Sequence, residues 1–284
     1  MQSIEFYQSL WAMEQRIPGH AEPPVEQHFA RIAEAGYAGV CLDPAIDEIE
    51  DCLALAPLFR KHKLGCMVNA FPDSEDELKP LLEMARELNA CTVNVISGVM
   101  PFTVDEAVPV LRRWMEEAGQ VGQPVLFETH RDGMFNDLYY TLQVIEAVPE
   151  LRLCADLSHF VVDREFRVPL SERDQQFITR ILERSDCFQG RVANREQVQI
   201  QIDFPQHQEW VRIFKAWWAE GISMWRNRNH SEATLRFLCE LGPPSYAITD
   251  ANGLELSDRW QEALIIRGWV EQIWREQDPQ LAAD

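Results

Sequence analysis

The feature that most constrains this chain is an alternation. Short strand-like runs are each followed by a longer segment of helical character, eight times over. The runs are Ile4–Tyr7, Gly39–Leu42, Leu64–Ala70, Thr92–Ile96, Val125–Glu128, Leu151–Ala155, Phe188–Ala193 and Thr234–Glu240. Most lack a polar/apolar alternation, as expected of parallel strands covered on both faces by helices.

The segments between them carry helix punctuation. Pro23-Pro24 opens a helix running to Ala35, and Gly36 lies just past its end. Ile46 to His62 reads as a second helix. Asp73-Ser74 followed by three acidic residues, and the capping-box pattern Thr103-x-x-Glu106, mark the starts of two more. Ser171 and Asp174 open another, His207 to Glu220 carries Trp210, Phe214, Trp217 and Trp218, and Ser257-Asp258 starts the last. Eight such units imply a single closed parallel (β/α)8 barrel, a TIM barrel, across residues 1–284. An open doubly wound sheet would want a Gly-rich phosphate turn after an early strand, and none is present. The tryptophan stripes are expected to pack helix on barrel or helix on helix.

Two stretches break the rhythm. Asn194 to Pro205 contains the alternating run Val198–Asp203, and a Gly/Pro-rich segment follows Leu241. Both fall where strand-to-helix loops belong, on the face where barrel enzymes build their sites.

Charge and cysteine content exclude some functions. The net charge of −20 disfavours nucleic acid and anionic membrane surfaces. No apolar run approaches the roughly 20 residues that cross a bilayer, and the N-terminus lacks secretory features, so a cytoplasmic location is expected. The seven cysteines are scattered and never spaced C-x-x-C, which suits packing in a reducing compartment better than disulfides or thiolate zinc.

Chemistry concentrates at the ends of three strands. Glu128, Asp156 and Glu240 each stand at the close of an apolar run. In a closed barrel those ends converge, and three carboxylates meeting there would repel unless a cation sat between them. Oxygen-rich ligation favours Mn²⁺ or Mg²⁺, with Co²⁺ or Zn²⁺ as alternatives. His130 and His159 follow the first two carboxylates closely and could bind substrate or metal. Arg131, Arg191 and Arg195 stand where a guanidinium could hold an anionic group or neutralise the acids.

Glu128-Thr129-His130, Ala155-Asp156-Leu157-Ser158-His159 and Cys239-Glu240-Leu241-Gly242-Pro243-Pro244 together resemble the xylose isomerase-like sugar (phosphate) isomerase/epimerase superfamily. The segment Ile32–Val40 is similar to its opening, and the resemblance spans essentially the whole chain. It implies a divalent metal held by Glu128, Asp156, Glu240 and a histidine on the seventh strand. At that position this sequence has Gln189, a weaker neutral ligand, which Gln199 could replace. The resemblance also implies substrate binding by His159. His130, Arg191 and Gln199 join it as candidates for substrate contact. The implied reaction is proton transfer next to a carbonyl of a small sugar-like substrate, with Glu128 and Glu240 as base and acid. A metal-dependent lyase or hydrolase on the same scaffold is the rival enzyme. A barrel that only binds a ligand or a partner subunit is the other rival, kept open by Gln189, and a homo-oligomer is compatible with all three.

Overall fold

The computed structural model describes residues 1–278. Eight parallel strands close in sequence order: β1 (Ser3–Ser9), β2 (Gly39–Leu42), β3 (Gly65–Ala70), β4 (Ala90–Val95), β5 (Val125–Glu128), β6 (Leu153–Ala155), β7 (Ser185–Gln189) and β8 (Thr234–Cys239). β1 pairs with β8 through six consecutive residues, from Ser3 opposite Thr234 to Gln8 opposite Cys239, and so seals the ring. The expected (β/α)8 barrel is therefore the fold.

Among the described residues, ten helices surround it: α1 (Val25–Glu34), α2 (Ile49–Ala54), α3 (Ala56–His62), α4 (Leu78–Glu87), α5 (Val104–Val121), α6 (Leu138–Ala147), α7 (Leu157–Asp163), α8 (Glu172–Leu182), α9 (Gln208–Arg228) and α10 (Arg259–Glu276). Several begin where their caps are legible in the sequence. Thr103 accepts from the Glu106 N–H while Glu106 reaches back to the Thr103 N–H. Ser171 and Asp258 cap α8 and α10. The segment expected as one helix over 46–62 is instead split into α2 and α3 after a short 3-10 turn at Ile46–Glu48. Pro57 explains the break at Leu55, because it has no N–H to give the preceding turn and fits only the start of a new helix.

The main core lies between strands and helices. Trp217, Trp218 and Phe214 of α9 are buried there, with Trp218 edge-on to Phe237 of β8. The tryptophans of α10 are half-buried and covered by cations, Arg31 over Trp260, Lys215 over Trp269 and Arg226 over Trp274, all from neighbouring helices. Inside the barrel a second cluster of Tyr7, Cys41, Met67, Leu126, Cys154, Cys187 and Leu238 fills the lumen. Six of the seven cysteines are buried and all are free, consistent with their reading as small apolar residues.

The seventh strand differs from expectation in a way that shapes the mouth. The sequence suggests 188–193, whereas the strand runs from Ser185 to Gln189. Gly190 still donates to Leu238 O (2.7 Å), and its α-carbon packs so tightly that a Cβ would lie 2.7 Å from Phe237. Beyond it the chain leaves the sheet and turns back, with Ile200 N–H donating to Val192 O (3.0 Å). The alternating run 198–203 is thus loop rather than strand; Ile200 and Ile202 point into the core, which accounts for its periodicity.

Candidate active site at the barrel mouth

One ring of side chains lies two residues above the apolar lumen. Because strand side chains alternate with period two, the residue two past each lumen residue also faces inward, one layer higher. Cys41 gives Asp43, Met67 gives Asn69, Leu126 gives Glu128, Cys154 gives Asp156, Cys187 gives Gln189 and Leu238 gives Glu240. Asn94 completes the ring beside Asn69, its register partner on β3.

These groups are joined. Asn69 Nδ2 donates to Asp43 Oδ1 (2.8 Å) and lies 3.3 Å from Glu240 Oε2, while its Oδ1 accepts from Asn94 Nδ2 (3.0 Å). Asn94 also donates to Glu128 Oε2, and Gln189 Nε2 donates to the same oxygen at 2.5 Å. Ser9 Oγ donates to Asp43 Oδ2 (3.2 Å). Glu128, Asp156, Asn69, Asn94 and Gln189 are almost wholly buried. Such a network is costly unless its members are paired, and most of these are.

The centre of the other half is Arg191, 1% exposed. Its Nη1 lies 3.1 Å from Asp156 Oδ2, its Nη2 3.3 Å from Glu240 Oε1, and its Nε donates to Glu240 O (2.9 Å). The ring of Tyr246 covers the guanidinium at 4.8 Å. His159, also fully buried, sits beside them with Nε2 3.4 Å from Asp156 Oδ2 and 3.3 Å from Arg191 Nη1.

The charges respond to this layout. Burial raises the carboxyl of Glu128 well above the ordinary range, and Glu240 and Asp156 push it further. Glu240 is also raised, by burial and by Asp156, against the pull of Arg191. Asp43 is pushed up to about 8 by burial and by Glu240, although Asn69 and Ser9 oppose it. Burial acts on Asp156 in the same sense, yet Arg191 and His159 outweigh it and hold that carboxyl well below its usual value. Burial, His159 and Arg191 lower His130 to about 2; His159 is lowered as well, chiefly by burial. The His130 ring is therefore neutral over the physiological range.

The quartet Glu128, Asp156, Gln189 and Glu240 expected to hold a divalent ion does come together at the mouth, with Arg191 among its oxygens. A guanidinium already lies between Asp156 and Glu240, and a second cation among the same oxygens would meet its repulsion. Gln189 gives its N–H to Glu128, while its Oε1 is buried without a hydrogen-bond partner among the described residues. Among the described residues, the group with metal-ligand spacing is Glu128, His130 and His159, whose donor atoms lie within 4.8 Å of one another.

The substrate-contact candidates separate. A cavity of about 260 Å³ opens at the mouth, lined by Trp11, Asp43, Phe71, Ile96, His130, Glu240 and Tyr246. Of the four candidates only His130 lines it. His159 and Arg191 do not line it, but each touches a residue that does, His159 the ring of His130 and Arg191 the ring of Tyr246. Gln199 instead pins the loop after β8, since its Nε2 donates to Gly242 O (2.9 Å) and its Oε1 accepts from Gly242 N–H (2.7 Å). That pin positions Gly242 under the edge-on pair Trp11 and Tyr246, where a Cβ would lie 2.4 Å from Trp11. Asp43, Asn69 and Asn94 are not singled out by sequence reasoning. Their signal is a lone polar residue at or near the end of an apolar run on β2, β3 and β4, matching the position of Glu128 on β5.

No family model matches the sequence, and no curated protein does at a significant level. Solved structures do match in fold. A D-allulose 3-epimerase from Methylomonas sp., in complex with D-allulose, superposes with a TM-score of 0.61 at 13% identity, covering 96% of this chain and 98% of that one. An L-ribulose 3-epimerase gives 0.61 at 13% identity, covering 96% of each chain. A xylose isomerase-like TIM barrel protein from Mycobacterium smegmatis, in complex with magnesium, gives 0.61 at 14% identity over 96% of this chain and 98% of that one. Identity this low speaks to architecture alone, and on that measure the chain has the xylose isomerase-like TIM-barrel fold.

Proposed function

We propose that this protein is an isomerase or epimerase of a sugar, sugar phosphate or related polyhydroxy carbonyl compound, working by proton transfer next to the carbonyl. The observation that carries the reading is a pair of buried carboxyl groups at the barrel mouth, Glu128 at the end of β5 and Glu240 just past β8, whose proton affinity burial raises. A carboxyl of raised proton affinity exchanges its proton at higher pH than an ordinary carboxylate, which suits it to general acid–base work. Trp11, Phe71 and Tyr246 offer flat apolar walls to the C–H faces of a sugar, while Asp43 and His130 offer partners to its hydroxyls. Neighbours of the same fold include 3-epimerases of D-allulose and L-ribulose, which favours a ketose-like substrate.

In this reading one carboxylate takes the proton from the carbon beside the carbonyl and the other delivers a proton to the intermediate. Arg191 keeps Asp156 ionised and holds Glu240 by both its carboxylate and its backbone oxygen, so the reacting carboxyl is fixed in place. Asn94 and Gln189 do the same for Glu128. The magnesium in one neighbour favours a divalent cation here too, which would stabilise negative charge developing on the carbonyl oxygen.

Incubation with candidate ketoses in heavy water tests this directly. Deuterium should enter at the carbon next to the carbonyl, and Glu128→Gln and Glu240→Gln should each lower turnover by about 10²–10⁴-fold while remaining folded. Wild-type rates in both variants would remove these residues from the mechanism. Cleavage of the substrate in place of exchange would assign the barrel to lyases or hydrolases.

A further inference from the structure

A second cavity, of about 640 Å³, opens between the loops that follow β1 and β2, and Trp11 and Asp43 line both it and the mouth. The mouth cavity alone, at about 260 Å³, falls below the roughly 300–1,000 Å³ usual for small-molecule sites. Part of the second lining is apolar, with Leu42 and Pro44 beside Trp11, and much of the rest is acidic. Both oxygens of Glu22 accept backbone N–H groups, from Arg16 (2.6 Å) and Gln15 (2.9 Å), and Glu48 Oε2 accepts from Ala45 (2.8 Å). These carboxylates are thereby fixed and keep lone pairs to spare. The Asp51 side chain makes no hydrogen bond or ion pair among the described residues. The one arginine of the lining, Arg16, is committed, with Nε donating to Glu14 Oε2 (2.8 Å) and Nη1 to Pro244 O (3.0 Å). His28 is an independent sign of a ligand. It lines the cavity from α1 at 8% exposure, and its ring makes no hydrogen bond or ion pair among the described residues. A buried polar group without a partner is costly, and a ligand in the groove would supply one.

We propose that the substrate is a glycosylated ketose, with its ketose unit at the mouth and a second, uncharged sugar unit in this groove. The inference rests on the reading of the mouth as a ketose site and extends it. The second ring lays C–H faces against Trp11, Leu42 and Pro44. Its hydroxyls donate to Asp51, Glu48 and Glu22, which as carboxylates can only accept, and the His28 ring takes either role. Trp11 and Asp43 belong to both walls, so the glycosidic bond passes beside them. Size agrees, because the groove adds more space than the mouth itself holds and a single ketose would leave it empty. A phosphate is the wrong occupant. The acids repel it, Glu14 already neutralises Arg16, and burial lowers the proton affinity of His28.

Isothermal titration of the full-length protein in Mg²⁺ buffer reads binding without turnover. The probes are fructose, fructose 6-phosphate and four reducing ketodisaccharides of different linkage: turanose, maltulose, lactulose and isomaltulose. At least one disaccharide should bind about tenfold or more tightly than fructose, the gain expected from one hydrogen bond to a charged acceptor, and fructose 6-phosphate should gain nothing. Asp51→Arg, at an exposed helical position, should erase that gain and leave fructose affinity unchanged. His28→Phe should act in the same selective way. A crystal structure of the complex should place the second ring against Trp11. The proposal is overturned if no disaccharide outbinds fructose, if the phosphate outbinds both, or if either variant leaves the disaccharide gain intact or weakens the two sugars equally. Binding with this pattern but no deuterium exchange would count against the proton-transfer reading alone. Exchange on fructose with no disaccharide gain would count against this proposal alone.

Discussion

Two layers inside the same barrel, two residues apart on the same strands, are opposites. The lower one is an apolar plug of Tyr7, Cys41, Met67, Leu126, Cys154, Cys187 and Leu238. The upper one is a network of acids and amides organised around Arg191. The plug is held by burial, which is non-directional and tolerant of similar shapes. The ring is held by charge pairing and hydrogen bonds in a poorly solvated space, where each group depends on its neighbours. Both layers therefore contribute to stability, the lower by shape and the upper by charge pairing, and the proposed chemistry belongs to the upper one.

The sharpest way to break this comparison is to remove the cation at the ring's centre. Arg191→Met should destabilise the protein by about 3–5 kcal/mol in urea unfolding, because Asp156 and Glu240 lose the charge that compensates their burial. A change below about 1 kcal/mol would mean that the two carboxylates find other partners. In the plug, Leu126→Ala should cost about 2–4 kcal/mol by leaving a cavity in the lumen. It should spare the hydrogen bonds above it, so any turnover found for the wild type should fall far less than in Glu128→Gln, two residues along. Equal losses in both would show that the layers are not separable.

The gentlest probe is pH. Asp43 has a folded value of about 8, above that of an unfolded aspartate. The folded state thus binds this proton more tightly, and its contribution favours folding at low pH and is lost as pH rises from about 4 to 8. The slope from one such group is at most about 1.4 kcal/mol per pH unit. Asp43→Asn should flatten the fall in urea midpoint between pH 5 and pH 8, and an unchanged slope would place the carboxyl in an ordinary solvated setting.

Much of this can be read along the chain. The eight alternations, the buried character of the strands and the caps at Thr103, Ser171 and Asp258 depend on local patterning, which survives in sequence. Glu128, Asp156 and Glu240 are visible because a charge closing an apolar run is conspicuous. Asp43, Asn69 and Asn94 are equally periodic but inconspicuous, since a single amide or acid in a short run has no meaning until the barrel stacks it beside others.

What the sequence by itself determined is the barrel and the convergence of three acids at its mouth, because both follow from period and order. What only the tertiary structure decided is how those acids are neutralised. Gln189 and Arg191 are two residues apart around a glycine, and no pattern along the chain says that one would brace Glu128 while the other would enter between Asp156 and Glu240. That outcome depends on where β7 leaves the sheet and on which buried charges lie within reach, and Coulomb interactions in a buried space are set by distances across the barrel.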